Sequence, residues 1–441
     1  MRALCFALAG LIGLAVAASA EPLAPTPPMG WNSWDAYGLT ITEAQFRDNV
    51  AELAKLKPFG WSTAVIDEGW YMANPLGKDL KERDYQLDAN GLLLPALSRF
   101  PSAANNAGLK PLGDLLHAQG MTFGVHVIRG IPKEAVEKNL AIAHSNFHAT
   151  DAADTTDTCP WDDGNYGVKD NAAGQAYYDS MVKKYADWGV DFIKVDCIAD
   201  HPYKPTEIRQ IAAAIKNSGR PIILSLSPGP TNIAHAAEVA SLAQMWRIAD
   251  DTWDGWSFAP KDWPNGVLTG FKRLAEWHSY AKPGNWPDAD MLPFGSLTPN
   301  PGWGEPRASR LTQDEAKTLF TLWAIARSPL ILGGNLTKLD DITRAIITNK
   351  EVIAVNQTAF ESYRSSSEES DVQAWMASTG TRENPTRYTA LFNLGNEPKP
   401  LTMVVPWKWR ALIDLWSGQR LTQDHAKIIL PAHGSVIYRV E

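Results

Sequence analysis

The chain has 441 residues, 45% hydrophobic and 20% charged, enough for one large globular domain and a smaller one. Its formal net charge of −8 argues against a nucleic-acid partner. Its 18 tryptophans fill a core or stack on the C–H faces of pyranose sugars.

The N-terminus reads as an export signal. Arg2 supplies the positive charge, Leu4 to Val16 is apolar, and Ala18-Ser19-Ala20 is a cleavage site, so residues 1–20 form a predicted signal peptide. The run is too short for a membrane anchor, and no later stretch is long and apolar enough to span a bilayer. The mature chain is expected to be exported, to the periplasm or beyond. Cys5 leaves with the signal. Cys159 and Cys197 remain, compatible with one disulfide or with two separate thiols.

Short, apolar, unalternating runs recur along the next 330 or so residues, as strands buried on both faces should. In order they are Met29 to Trp34, Thr63 to Glu68, Thr122 to Val127, Phe192 to Cys197, Pro221 to Ser227, Met245 to Ala249, Trp286 to Leu292 and Ser328 to Gly333. Amphipathic stretches lie between them, including Thr42 to Lys55, Gly174 to Trp188 and Thr206 to Lys216. Eight alternations predict a (β/α)8 TIM barrel over 21–357. The longer, polar segment from about Ile131 to Asn171 is expected to add loops over the barrel mouth. After Gln357 the pattern changes to short alternating runs separated by turns, which predicts an antiparallel β-sandwich over 358–441.

Acids cluster at the predicted C-terminal strand ends. Asp196 closes one strand and Asp250-Asp251 follows another, so two carboxylates would face each other across one mouth. Hydrolysis of a glycosidic bond with retention needs such a pair, about 5–5.5 Å apart. Asp196 suits the nucleophile, and Asp251 or Asp250 the acid. Lys194 shares the strand face of Asp196 and could hold it ionised. Arg247 precedes Asp251 by four residues and could bind a sugar hydroxyl. Trp34, Asp67 and Glu68 end other strands at the same mouth. A strand-end acid is often only a turn cap, and a tryptophan there is often core.

These residues lie within a recognisable set of motifs: Pro28-Met29-Gly30-Trp31-Asn32-Ser33-Trp34, Ile66-Asp67-Glu68-Gly69-Trp70, Lys194-Val195-Asp196-Cys197, Trp246-Arg247 with Asp251, and Trp286-Pro287-Asp288-Ala289-Asp290-Met291-Leu292. Together they resemble glycoside hydrolase family 27, the melibiase-type α-galactosidases, over nearly the whole mature chain. The resemblance implies a retaining exo-glycosidase that releases terminal α-D-galactosyl residues from oligo- or polysaccharides by double displacement. It implies Asp196 as nucleophile and Asp251 rather than Asp250 as acid/base. It implies Lys194, Arg247, Trp34, Asp67 and Glu68 as sugar-binding residues, with Trp34 under the ring and the two acids on the 4- and 6-hydroxyls. Cys159 and Cys197 approximate a family disulfide. No metal or other cofactor is implied, and the only partner implied is carbohydrate.

Three positions depart from the family. Glu68 replaces the usual second Asp, His126 stands where tyrosine is common, and Ser225-Leu226-Ser227 replaces a Cys-Glu-Trp loop near the 2-hydroxyl. Substrate alternatives are therefore β-L-arabinopyranosides, through Glu68, and α-N-acetylgalactosaminides. Outside the family, the rivals are a carbohydrate-binding protein without catalysis and a metal-dependent barrel hydrolase using His144 and His148. The sequence is silent on oligomeric state.

Overall fold

The computed structural model describes residues 22–261, 263–298 and 305–441; the expected signal segment 1–20 lies outside them. Eight parallel strands form the catalytic half: Met29–Asn32, Thr63–Ile66, Thr122–Ile128, Phe192–Asp196, Ile223–Leu226, Met245–Arg247, Trp286–Asp288 and Leu330–Leu332. We number them one to eight as barrel strands. Hydrogen-bonded neighbours run in the order 7-6-5-4-3-2-1-8. Leu292, just past strand seven, closes the barrel by pairing in parallel with Leu332. Its N–H donates to the Ile331 carbonyl at 2.7 Å.

The barrel interior is filled, not open. Val65, Phe192, Met245 and Ile331 make one buried layer with Met291. The first four come from strands two, four, six and eight, the alternate-strand layering of a closed (β/α)8 barrel. Side chains repeat every two residues along a strand. The layer above is therefore Asp67, Lys194, Arg247 and Gly333: apolar packing gives way to charge within one step. Gly333 is required there. A Cβ at that position would lie 1.8 Å from a carboxylate oxygen of Asp35.

Helices cover the outside. The first long one, Glu43–Leu56, starts at Thr42, whose hydroxyl accepts the Gln45 N–H while the Gln45 side chain accepts the Thr42 N–H. It buries Phe46, Val50 and Leu53 against the sheet. Helices Ala172–Asp187 and Pro205–Ser218 take the other expected positions.

The segment after strand three is more ordered than loops. Ile131–Pro132, Ala153–Thr158 and Asn165–Val168 form a three-stranded antiparallel sheet. Two devices fasten it to strand four. Cys159 is disulfide-bonded to Cys197, across a separation of 38 residues. Arg129 is buried, donates to the Cys197 carbonyl at 2.6 Å, and pairs with Asp157 at 2.9 Å and Glu207 at 2.8 Å. His144 and His148 do not share a helix here. His144 has a left-handed backbone (φ 59°), and His148 caps the short helix Ala149–Ala152.

The C-terminal part is a β-sandwich. Its larger sheet orders Glu361–Arg364, Val372–Gly380, Pro385–Asn393, Ser435–Val440, Ala411–Asp414 and Arg420–Thr422; Lys399–Thr402 and Lys427–Leu430 pair in a second. Met403, Val405, Leu412 and Tyr438 pack between them. Barrel helix Gln313–Ala326 docks the sandwich through Glu315, 2.7 Å from His433, whose ring stacks on Trp256 at 4.0 Å.

Removing the disulfide removes a constraint on the unfolded chain. The double variant Cys159→Ser, Cys197→Ser should lose about 3–4 kcal/mol of stability in a denaturant titration. The wild-type protein, purified from an oxidising compartment, should show no free thiol by mass spectrometry. Two free thiols there would refute the bond.

Candidate active site

Strand four sets the centre. Lys194 and Asp196 are two residues apart, so both point into the barrel mouth, with side chains 13% and 16% exposed. Lys194 Nζ donates to Asp67 Oδ2 at 2.9 Å, and Asn32 Nδ2 donates to the same oxygen at 2.6 Å. Asp67 Oδ1 accepts the Glu68 N–H at 2.9 Å. Burial pushes Asp67 up, but the charges of Lys194 and His126 and these hydrogen bonds outweigh it, leaving Asp67 well below the usual carboxylate range.

Asp196 is held ionised in the same way. Burial opposes charge there. The His126 hydrogen bond (Nε2 to Oδ2, 3.3 Å), the nearby Lys194 ammonium and the Cys197 N–H together bring its pKa below the ordinary value. Cys197 itself has a left-handed backbone (φ 60°), which turns its N–H back onto the carboxylate.

Strand six brings the second group. Arg247 is buried and reaches Asp251 Oδ1 at 3.2 Å and Asp290 Oδ1 at 2.9 Å. Asp251 is the more open acid, with its side chain 39% exposed, and the indole of Trp263 donates to it at 3.4 Å. Its charge is felt by Asp35 and Asp290 in the pocket. Asp250 lies beside it, and burial and the charge of Asp251 push its pKa up to about 6. A raised pKa suits a general acid, yet geometry favours Asp251: it is the one held by Arg247 and facing the pocket acids.

The remaining expected residues gather at the same mouth. Trp34 follows strand one and packs, partly buried, against the interior layer of Val65, Phe192, Met245, Met291 and Ile331. Glu68 is buried next to Asp67. Ser227 is buried at the end of strand five, its carbonyl accepting the Ile198 N–H at 3.1 Å. His126 is buried on strand three.

Four acids here were not singled out from sequence. Asp162, on the excursion, is buried and accepts the Tyr85 hydroxyl at 3.0 Å; burial, and then the charge of Asp162, push the Glu68 pKa well above the usual range. Asp35 is buried, one of its carboxylate oxygens has no hydrogen-bond partner among the described residues, and burial and neighbouring acids raise its pKa well above the usual range. Burial pushes Asp288 up to about 7, only partly offset by Arg247. Asp290 has φ 86°, an uncommon conformation for a non-glycine, kept by Arg247 and by the Thr252 N–H, which donates to it at 2.6 Å. The strand-end rule that marked Asp196 marks Asp288 and Asp290 too. Nothing local marks Asp35 or Asp162.

A family model described as Melibiase_2, Alpha galactosidase A, matches residues 161–358. The structure of a family 27 β-L-arabinopyranosidase from Geobacillus stearothermophilus superposes with a TM-score of 0.88 at 38% identity, covering 95% of this chain and 97% of that one. This chain belongs to glycoside hydrolase family 27. Alpha-galactosidase A of Cellvibrio japonicus is 27% identical over 95% of this chain and 93% of its own length. Alpha-galactosidase I from Mortierella vinacea superposes with a TM-score of 0.70 at 25% identity, covering 96% and 98%.

The glycoside hydrolase carries an excess of buried acids, and that sets its response to pH. Asp250 and Asp288 bind a proton more tightly folded than unfolded. Their stabilisation is full below the ordinary carboxylate range and is lost as pH rises through about 6 and about 7. Asp67 and Asp196 have the opposite sign, so their stabilisation is lost only in stronger acid. The melting temperature should therefore be highest in mild acid and fall by a few degrees towards pH 8. Asp288→Asn should flatten that fall. A melting temperature that rises from pH 5 to pH 8 would contradict the balance.

Proposed function

We propose that this glycoside hydrolase removes terminal α-D-galactopyranosyl residues from oligo- or polysaccharides with retention of configuration. One observation carries the reading: the end of strand four presents Asp196 beside a buried ammonium, across a mouth in which Arg247 holds Asp251. In the first step the Asp196 carboxylate attacks the anomeric carbon while Asp251 gives its proton to the departing glycosidic oxygen. In the second, Asp251 takes a proton from water, whose oxygen displaces Asp196 from the sugar. Lys194, Asp67 and Arg247 supply charged hydrogen-bond partners for sugar hydroxyls, Trp34 supports the ring, and His126 and Ser227 complete the wall. The disulfide supports export to an oxidising compartment, with residues 1–20 as the signal.

A second reading is favoured by Glu68. β-L-Arabinopyranose is galactopyranose without the hydroxymethyl group, so both glycosides present the same ring and bond to the two carboxylates. Glu68 is one methylene longer than the family's aspartate and occupies space at the C6 end. The 38%-identical neighbour acts on that pentose. One methylene of misfit is worth only about 1–3 kcal/mol, enough to tilt a ratio of rates and too little for absolute choice. The enzyme should therefore hydrolyse both glycosides.

Asp196→Ala should nearly abolish turnover of 4-nitrophenyl α-D-galactopyranoside, and azide should restore part of it with inverted product. Asp251→Ala should keep much more activity on that activated glycoside than on melibiose, whose leaving group needs protonation. Asp250→Ala should affect both substrates alike and more mildly. The reverse pattern would move the acid/base by one residue.

Glu68→Asp should raise the galactoside/arabinopyranoside ratio of kcat/KM. An unchanged or lower ratio would remove Glu68 as the C6 selector.

A further inference from the structure

His433 joins three parts of the molecule. It sits in the sandwich turn before strand Ser435–Val440, with a left-handed backbone (φ 55°). Its Nδ1 is 2.7 Å from Glu315 Oε1 on barrel helix Gln313–Ala326, and its carbonyl accepts the Thr318 hydroxyl of the same helix at 2.6 Å. Glu315 is held in turn, since its other oxygen accepts the Thr312 N–H at 2.8 Å. Nε2 of His433 lies 2.8 Å from Asn396 Oδ1, so both ring nitrogens are engaged and the plane of the imidazole is fixed. That plane stacks on Trp256, with ring centroids 4.0 Å apart and an interplanar angle of 8°.

Trp256 belongs to the loop that carries Asp251. The loop leaves the barrel at Asp251 and returns at Asn265. There the Asn265 N–H donates to the Asp251 carbonyl at 2.8 Å, and the Trp253 N–H donates to the Asn265 carbonyl at 2.9 Å. Asp254 fastens the loop to Arg307 and Arg310, 2.7 and 3.1 Å away, and two residues on Trp256 fastens it to the sandwich. The Asp251 side chain is itself lightly held. It is 39% exposed, and its contacts with Arg247 and Trp263 are long, 3.2 and 3.4 Å. Trp263 rides on the same loop. Where Asp251 points therefore depends on the backbone that carries it. We propose that His433 is a positioning residue for Asp251: through the stack on Trp256, the sandwich holds the loop where proton transfer to the leaving group needs it. The inference rests on Asp251 as the acid/base. A displacement of about 1 Å at a reacting group can cost on the order of a hundredfold in rate, so a brace outside the pocket matters to the chemistry. The C-terminal domain thereby contributes to the protonation step from outside the barrel.

The test separates protonation from the rest of the reaction. Fluoride leaves α-D-galactopyranosyl fluoride without an acid, whereas the departing oxygen of melibiose must be protonated. kcat/KM on both substrates is compared for wild type, His433→Ala, His433→Phe and Trp256→Leu. His433→Ala should lose about tenfold on melibiose and less than about twofold on the fluoride, because only melibiose needs the proton of Asp251. The fluoride rate also reports how much of each variant is folded. His433→Phe keeps a flat ring on Trp256 and should restore most of the melibiose rate. Trp256→Leu removes the stack from the loop side, should lower the melibiose/fluoride ratio as His433→Ala does, and serves if His433→Ala folds poorly. Equal losses on both substrates, or a lower melting temperature with both rates kept, would overturn the proposal and leave His433 a structural bridge. A His433→Phe enzyme as impaired on melibiose as His433→Ala would overturn the stack as the link. An Asp251→Ala enzyme with the wild-type melibiose/fluoride ratio would instead overturn the acid/base reading, and this inference with it.

Discussion

The pocket is organised around one buried ammonium. Lys194 donates to Asp67, and its charge reaches Asp196 and several more distant acids. Burial alone would strip the charge from Lys194, but Asp67 and Asp196 more than reverse that and raise its affinity for the proton. The pairing works in both directions: the acids keep the lysine charged, and His126 together with the lysine keeps the Asp196 carboxylate ionised in a place where desolvation opposes ionisation. A buried ion pair of this kind is weak evidence for stability, because desolvation consumes much of its Coulomb gain. Its value here is chemical. Arg247 repeats the arrangement across the mouth for Asp251 and Asp290.

This charge sits where it does because of barrel register. Successive inward positions are two residues apart, so the chain needs only to change from Phe192 to Lys194, or from Met245 to Arg247, to pass from packed core to reactive surface. The apolar layer below holds the strands at fixed spacing and gives Trp34 a rigid base. Gly333 has no room for a side chain because Asp35 fills that place. Precision in the site is thus inherited from packing beneath it, and loops supply the differences: Asp251 and Trp263 after strand six, Asp162 after strand three.

Much of this was legible in the sequence, for identifiable reasons. The strands were short, apolar and unalternating because both faces are buried, and each inner strand was found within a few residues. The apolar run of strand seven continues in sequence to Leu292, whereas the ladder with strand six ends at Asp288; the stretch beyond bends to meet strand eight and close the barrel. The sheet within 131–171 reads as loops in the sequence because its strands are short and largely polar; Ile131, Ala153 and Val168 are its buried apolar anchors, and Arg129 and the disulfide fasten it further. Glu361–Arg364 and Arg420–Thr422, at the two edges of the larger sheet, and Ala411–Asp414 beside the latter lack a clean alternation. In the site, residues at strand ends were readable because position along a strand implies direction. Asp35 and Asp162 were not, because their place in the pocket comes from a helix start and a long excursion that only tertiary structure brings in.

A covalent glycosyl-enzyme on Asp196 is the step on which the whole reading turns. Its most direct measurement is trapping with a fluorosugar inactivator of α-D-galactopyranosyl or β-L-arabinopyranosyl configuration, followed by peptide mapping in the mass spectrometer. The account predicts one added glycosyl mass per chain, on the peptide and at the residue Asp196. A label on Asp251, Asp250 or any other carboxylate would contradict it.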